Sequence, residues 1–465
     1  MVRNAVFSSV FFRLYAGLWR MARPLLKRRA RLADGWAERC VPADWMAGEA
    51  PVDLWVQAAS GGEAHLAVAL LKAMPERPGL RVLVSTWTRQ GRQVIEGAMP
   101  GLRADKPWLS VLVRYAPLDE PAVARRAVKL AAPRALVLLE TELWPGLMGA
   151  CAEAGVPLYV VNGRMTKTSY ECYRVIASVL RRLPVRAVYA VSPGDADRFA
   201  RVFDAGFRHG EASAGHPVTV ELMPNIKLDR AVETLGAPPC LNLAPLFRKV
   251  SHLVLLASVR KEEERLLGPW AGRLLRAWPD GAVVVAPRHM HRVKAWMSRL
   301  YDLGLRPMAA TELGGGAVLP GSVLVWDRFG ELPGLYAVAN SAFVGGSFGL
   351  GGQNFLEALA AGLVPCVGPS LDNFRWALGL EPLPDGPALP SLEEAGLLRI
   401  CSSPRAACEW LLKTDSAPAR EDVRARFLAW LRPRSGGAAY AARLLDAALT
   451  GAEGMPGGAG SQLSR

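Results

Sequence analysis

Short apolar runs alternate with longer amphipathic stretches along most of this chain. From residue 51 the runs fall at 54–58, 81–85, 111–115, 135–139, 158–161 and 186–191, with helical periodicity between most of them. Runs apolar throughout, rather than at every second position, predict strands buried on both faces, and intervening helices predict a parallel sheet. The alternation weakens over 206–229, and 236–245 holds three prolines and little periodicity. A second series follows at 252–257, 282–286, 323–326, 342–345, 363–367 and 397–401. The chain has 465 residues, more than one ordinary core accommodates. The pattern therefore predicts an α/β protein of two doubly wound parallel-sheet domains, 49–234 and 235–450. A glycine-rich tail, 451–465, is expected to be disordered. Ligands of such sheets bind at the carboxyl ends of the strands, so the cleft faced by both domains is the expected site.

The first 48 residues follow a different rule. Phe7, Phe11, Leu14, Leu18, Met21 and Leu25 recur at helical spacing and form one apolar stripe. Arg13 and Arg20 interrupt it, so it falls short of the roughly 20 clean residues of a spanning helix. Arg20, Arg23, Lys27, Arg28, Arg29 and Arg31 form a basic collar. Stripe and collar together predict an amphipathic helix anchored at a membrane surface carrying anionic lipids. A core helix with solvated basic residues is the competing reading.

Composition narrows the field. Half the residues are hydrophobic (51%) and 21% are charged, as in a folded protein. A net charge of +14 points to an anionic partner. Nucleic acid is disfavoured, because the basic residues are dispersed and no binding signature accompanies them. Seven cysteines without a C-x-x-C pair predict free thiols in a reducing compartment. Six histidines without an H-x-x-x-H pair predict no structural metal and no metal cofactor.

The most informative segment is GGSFGLGGQNFLEALAAGLVPCVGPSLDN, 345–373. An apolar run enters a glycine-rich turn, followed by a small-residue helix. Gly345, Gly346, Gly349, Gly351 and Gly352 are expected to let the backbone approach a ligand closely and to offer N–H groups to an anion. Asn354 and Glu357, three apart, are expected near one helix face, within reach of a ribose or base. No Lys-Ser/Thr pair follows the glycines, and G-x-G-x-x-G does not fit, so a sugar nucleotide matches better than a P-loop or nicotinamide ligand. A strand–helix corner that needs small residues for packing is the other reading.

Acids and bases gather at other strand ends. Ser60-Gly61-Gly62-Glu63 follows the first strand, and Ser-x-x-Glu is a capping box. The same carboxylate, at a strand's carboxyl end, also suits a general base. Glu140-Thr141-Glu142 ends the fourth strand, and a second acid near the base would raise its pKa. Helix-start acids favoured by the macrodipole are the alternative there. Arg164 and Lys167 suit a phosphorylated acceptor, with ordinary solvated surface charges as the other reading. Arg288, beside His289, suits a phosphate of the leaving group. Asp195-x-Asp197 reads as first-turn acids after Ser192-Pro193 rather than as a metal site.

In order, the segments WVQAASGGE (55–63), STWTRQG (85–91), YAPLDEP (115–121), ETELWP (140–145), NGRMTKTS (162–169), NIKLD (225–229) and PRHMHR (287–292) lead to the glycine segment. This series resembles the 3-deoxy-D-manno-oct-2-ulosonic acid (Kdo) transferase family of lipopolysaccharide assembly. The resemblance implies a GT-B fold with an N-terminal membrane-associated helix at the cytoplasmic face of the inner membrane. It implies transfer of Kdo from CMP-Kdo to the phosphorylated glucosamine disaccharide of the lipid A precursor, without cofactor, by an inverting displacement. Glu63 matches the family's base, with Glu140 beside it. Ser60, Gly61, Gly62, Arg164 and Lys167 are assigned to the acceptor. Arg288, His289, Gly345, Gly346, Ser347, Asn354 and Glu357 are assigned to the donor, and Lys227 to the Kdo carboxylate.

The chain departs from the family pattern at four places. Gly61 stands for the usual Val, Gln57 for His, Arg89-Gln90 for Pro-Thr and Gln353 for His. Two other readings are another GT-B sugar-nucleotide enzyme and a catalytically silent membrane-bound scaffold.

Overall fold

The computed structural model describes residues 2–205, 207–208, 211–212, 218–236, 242–379, 390–414 and 419–451. The expected tail, 451–465, thus lies almost wholly outside the described residues. The chain forms two compact units, residues 1–229 with 436–465, and 230–435.

The first unit carries β1 (Leu54–Ala58), β2 (Leu80–Thr86), β3 (Leu109–Tyr115), β4 (Ala135–Leu139), β5 (Leu158–Gly163) and β6 (Val185–Ala190). A small antiparallel pair, β7 (Phe207–Arg208) and β8 (Glu211–Ala212), precedes β9 (Thr219–Leu222). The large sheet runs β3-β2-β1-β4-β5-β6-β9, parallel throughout. Every residue of β1 and β4 is buried, which is why these strands read as unbroken apolar runs. One face packs Trp55, Leu136, Leu138 and Phe199, and the other packs Val56, Val137, Leu66 and Leu70.

The second unit carries β10 (Leu253–Val259), β11 (Ala282–Pro287), β12 (Pro307–Ala309), β13 (Ser322–Val325), β14 (Ser341–Val344), β15 (Cys366–Val367) and β16 (Arg399–Ile400). Its order is β12-β13-β11-β10-β14-β15-β16, again all parallel. Both sheets reverse direction beside their first strand, at β1/β4 and β10/β14. A crevice at such a switch point is where a doubly wound sheet takes its ligand.

The chain's last helix departs from the expected division at 235–450. Gly437–Thr450 belongs to the first unit, where Ala438, Ala441, Ala442 and Leu445 share a core with Ala64 and Leu71 of helix Gly61–Ala73. Asp229 of the NIKLD segment makes this return possible. Its carboxylate accepts from the N–H groups of Gly436 (2.6 Å), Gly437 (3.3 Å) and Ala438 (2.7 Å), the orphan donors of a helix start. Gly437 is required there, because a Cβ would lie 2.2 Å from Pro224 O.

Helix α1, Val2–Lys27, precedes the first sheet. Leu14, Leu18, Met21 and Leu25 of the predicted stripe are exposed, Met21 at 77%. Described side chains begin at Val10, so Phe7 is not among them. The opposite face docks on the first unit. Phe12 and Trp19 pack against its core, Tyr15 bonds to Asp119, and Arg23 pairs with Glu120 at 3.3 Å. Arg23 is therefore committed inward rather than to the collar. Among the described residues no helix is long and apolar enough to cross a membrane.

Candidate active site

In the first unit the switch point is lined by acids. Ser60 caps helix Gly61–Ala73, its hydroxyl accepting from Glu63 N while the Glu63 carboxylate accepts from Ser60 N. The capping box predicted from Ser-x-x-Glu is thus present, and it fixes the carboxylate at the carboxyl end of β1. The carboxylate is mostly buried, the residue being 9% exposed. Burial raises its pKa, and the charge of Glu140 adds to the rise. The bonds from Ser60 and the charge of Lys227 oppose it.

Across the switch point, Glu140 directly follows β4, and its φ of +57° places a non-glycine residue in the left-handed region. Glu140 is ion-paired with Lys227. The lysine, expected on a donor carboxylate, thus belongs to the acid cluster of the first unit. Asn162, at the end of β5 with φ +55°, organises this approach: its Oδ1 accepts from Ile226 N at 2.9 Å. Asn225 Oδ1 in turn accepts from Lys227 N at 3.0 Å.

Glu142, the second acid of the Glu140-Thr141-Glu142 pair, completes the cluster, a place that the sequence pattern does not assign to it. Its carboxyl is pushed up to about 7, by burial first and then by the charge of Glu63, with Glu140 adding and the Trp144 bond opposing. Trp144 Nε1 donates to Glu142 at 2.7 Å, and its ring lies 4.9 Å from that of Trp87. Tyr173 O–H donates to Thr141 O at 2.8 Å, fixing the loop from another side. A doubled acid beside a strand end was the available signal; the coupling to Glu63 depends on strand order.

The remaining acceptor assignments surround this cluster unevenly. Arg164 follows β5 directly, whereas Lys167 opens helix Lys167–Val175 with an exposed side chain. Gly61 and Gln90, two of the departures from the family pattern, meet: a Cβ on Gly61 would lie 3.1 Å from Gln90 Cγ and Cδ. The longer Gln90 occupies room that Gly61 leaves. Gln57 is buried in β1 and accepts from Ser85 Oγ, which accepts from Trp55 Nε1 at 2.6 Å, so its side chain serves the core. Asp195 accepts from Met165 N (2.9 Å) and pairs with Arg198, and Ser192 caps its helix, as first-turn acids do.

The second unit repeats the geometry with different chemistry. After β10, Glu263 folds its carboxylate back to Arg260 N at 3.2 Å. The same carboxylate accepts from the N–H groups of Gly346 (2.6 Å), Ser347 (3.1 Å) and Phe348 (3.4 Å). Gly345 N donates to Ala257 O at 2.8 Å within the sheet. The glycine turn does bind an anion, but the anion is Glu263. The N–H groups of Gly345, Gly346 and Ser347, expected to meet a phosphate, are already engaged. Glycine is required at 345, where a Cβ would lie 2.8 Å from Glu263 Oε2.

Arg288 and His289 follow β11 with exposed side chains, and the rings of His289 and His291 stack at 5.5 Å. Asn354 Nδ2 donates to Glu357 Oε1 at 2.8 Å. Burial raises the Glu357 carboxyl, while the charges of Arg230 and Arg288 pull it down. Arg288 and Glu357 therefore share one electrostatic neighbourhood. Gln353, in place of the usual His, lies against Gly346, whose absent Cβ would be 2.9 Å from Gln353 Cγ.

Taken alone, the first unit presents a raised carboxyl at a helix start, with two further acids and one lysine. That arrangement suits proton abstraction from a hydroxyl near neutral pH. Among the described residues no group of three or more His, Cys, Asp or Glu is placed to hold a metal ion.

A family profile, 3-Deoxy-D-manno-octulosonic-acid transferase (kdotransferase), matches residues 34–229. A 3-deoxy-D-manno-octulosonic acid transferase of Bordetella pertussis is 32% identical over 427 residues, covering 88% of this chain and 92% of that protein. A protein of the same description from Haemophilus influenzae is 25% identical over 330 residues, covering 70% and 72%. Among solved structures, a UDP-N-acetylglucosamine 2-epimerase is similar with a TM-score of 0.52 at 12% identity, covering 88% of this chain and 98% of that one. A putative UDP-N-acetylglucosamine 2-epimerase from Listeria monocytogenes gives 0.51 at 14%, covering 87% and 97%. At such identities the structures bear on the fold alone, and that fold is of the GT-B kind. The long alignment to the Bordetella protein establishes that the chain belongs to the Kdo transferase family and is a glycosyltransferase.

Proposed function

We propose that the protein transfers Kdo from CMP-Kdo to the glucosamine disaccharide of a phosphorylated lipid A precursor, releasing CMP. The observation that carries the reading is Glu63, held at the end of β1 with its carboxyl raised by burial and by Glu140. Glu63 takes the proton of an acceptor hydroxyl as its oxygen attacks the anomeric carbon. The bond from that carbon to the CMP phosphate breaks in the same inverting displacement, through an oxocarbenium-like transition state. Arg288 receives the charge that develops on the phosphate. Asn354 and Glu357 take the cytidine end. Arg164 and Lys167 meet the acceptor's phosphates.

The exposed stripe Leu14, Leu18, Met21 and Leu25 faces away from the docked side of α1. With a net charge of +14 it supports placement at the cytoplasmic face of the inner membrane, among anionic lipids. Sedimentation with anionic vesicles is expected to fall when residues 1–31 are deleted; unchanged sedimentation refutes this placement.

The reaction is tested by mass spectrometry of purified protein incubated with CMP-Kdo and the tetra-acylated precursor. A gain of one Kdo unit, or a ladder of them, supports the proposal and counts the rounds. No gain, with intact donor and an active family member alongside, refutes this donor–acceptor pair.

A further inference from the structure

The acidic loop at the end of β4 is held from outside the acid cluster. Helix Pro145–Ala154 starts directly after Trp144, and its first N–H groups have no intrahelical acceptor. Trp144, at the cap position, makes no side-chain cap bond. Asp119, from the loop after β3, supplies the cap: its oxygens accept from Gly146 N at 2.9 Å and Leu147 N at 2.7 Å. Glycine is needed at 146, because a Cβ would lie 2.1 Å from Asp119 O. Asp119 is 2% exposed, so its charge depends on protein donors. A third comes from α1, where Tyr15 O–H donates to Asp119 Oδ2 at 2.7 Å.

The rest of the α1 interface bears on the same helix. Phe12 lies against Gly149, where a Cβ would sit 2.7 Å from Phe12 Cζ. Arg23 Nη1 reaches Glu120 Oε2, next to Asp119, at 3.3 Å. A connected path therefore runs from α1 through Asp119 to the start of helix Pro145–Ala154. From there it continues to Trp144, to Glu142 and by charge to Glu63.

We propose that Asp119, fixed by Tyr15, is a positioning residue for transfer: it anchors the start of helix Pro145–Ala154 and thereby holds Glu142 beside Glu63. Helix α1 then has two roles, one for each face. Its outer stripe meets the membrane, and its inner face completes the catalytic unit even where no membrane is present. Asp119 touches no reacting atom. The inference rests on the assignment of Glu63 as the base.

The test uses full-length protein, CMP-Kdo and the tetra-acylated precursor in detergent micelles, with Tyr15→Phe and Asp119→Asn variants. Tyr15→Phe keeps the ring and removes one bond, so it carries the test if Asp119→Asn does not fold. Displacing a catalytic loop by a fraction of an ångström is costly, and Tyr15→Phe is expected to lower kcat about three- to tenfold with KM nearly unchanged. The charged groups acting on the Glu63–Glu142 pair are Glu140 and Lys227. With the loop displaced, mutual repulsion weakens, and the pH–rate profile is expected to move down by about half a pH unit. Near-ultraviolet circular dichroism should change as the Trp87–Trp144 pair rearranges. Asp119→Asn should produce larger changes of the same kind. Loss of activity that matches loss of folded protein, with superimposable pH profiles and unchanged dichroism, overturns the proposal. If the parent protein shows no transfer, the functional reading fails separately, and the dichroism of the same variants still decides the positioning role.

Discussion

Each unit begins its sheet in the same way, with a central buried strand, a turn, and a glutamate that folds back onto the first N–H of the turn. Glu63 bonds Ser60 N, and Glu263 bonds Arg260 N. Burial raises both carboxyls. What arrives across the switch point differs. Opposite Glu63 come Glu140 and Glu142, whereas opposite Glu263 come the N–H groups of Gly346, Ser347 and Phe348. Four backbone donors stabilise the charge of Glu263 and occupy its lone pairs. Neighbouring acids do the reverse for Glu63, making it readier to take a proton. One local motif is therefore a clasp in one sheet and, on the proposed reading, a base in the other, according to what the adjacent strand end carries.

Breaking each glutamate separates the two roles. Glu63→Ala is expected to lower transfer by about a thousandfold or more, with CMP-Kdo affinity nearly unchanged, since a positioned base contributes up to about 10⁴. Quenched mass-spectrometric rates and donor titration calorimetry check this; comparable turnover in the variant refutes the base. Glu263→Ala should behave oppositely. It strands buried N–H groups and is expected to cost about 2–4 kcal/mol in denaturant unfolding, with donor affinity falling as the glycine turn loosens. Unchanged stability would mean that the turn does not depend on its internal anion.

Glu142→Gln sharpens the first half of the comparison. The folded carboxyl titrates at about 7, above its ordinary value of 4.5, so the folded state binds the proton more tightly than the unfolded chain. Below about pH 4.5 both states are protonated and no penalty exists. The penalty grows between that pH and 7 and persists above it. Glutamine removes it, so the variant is expected to be more stable than the parent at pH 8 by about 1–3 kcal/mol, and no more stable at pH 4.5. Thermal melts at the two pH values decide.

The smallest effect is expected from Lys227→Met. Lys227 lowers the pKa of Glu63. Its removal should raise the acid limb of kcat/KM by about half to one pH unit, narrowing activity from the acidic side. A limb that stays in place or moves down would mean that Lys227 does not lower the pKa of the group that sets it.

Much of this was legible along the chain. Strands β1 and β4 match the runs at 54–58 and 135–139, because strands buried on both faces must be apolar at every position. The pattern is weaker where burial is one-sided or the strand short: no apolar run marks β9, and the runs at 363–367 and 397–401 hold only the two-residue β15 and β16. Helix α1 shows a similar limit. Its exposed stripe is a simple periodicity, but no local signal marks Tyr15 or separates Arg23 from the basic collar, and only docking shows them bonded to Asp119 and Glu120. The return of Gly437–Thr450 to the first unit was missed because nothing local in 437–450 names its partner, Asp229.

The sequence by itself determined the two alternating series, the capping box at Ser60–Glu63, the apolar stripe of α1 and the ordered landmarks of the family. These depend on residues within a few positions of one another, where propensity and periodicity act directly. Only the tertiary structure decided which acids share a site and which glycine turn is already filled. Residues 63 and 142, or 263 and 346, are about 80 positions apart, and sheet order makes each pair neighbours. Charge, burial and hydrogen bonding act through space, so a glutamate at the same point of the motif meets acids in one sheet and N–H donors in the other only once the strand beside it is in place.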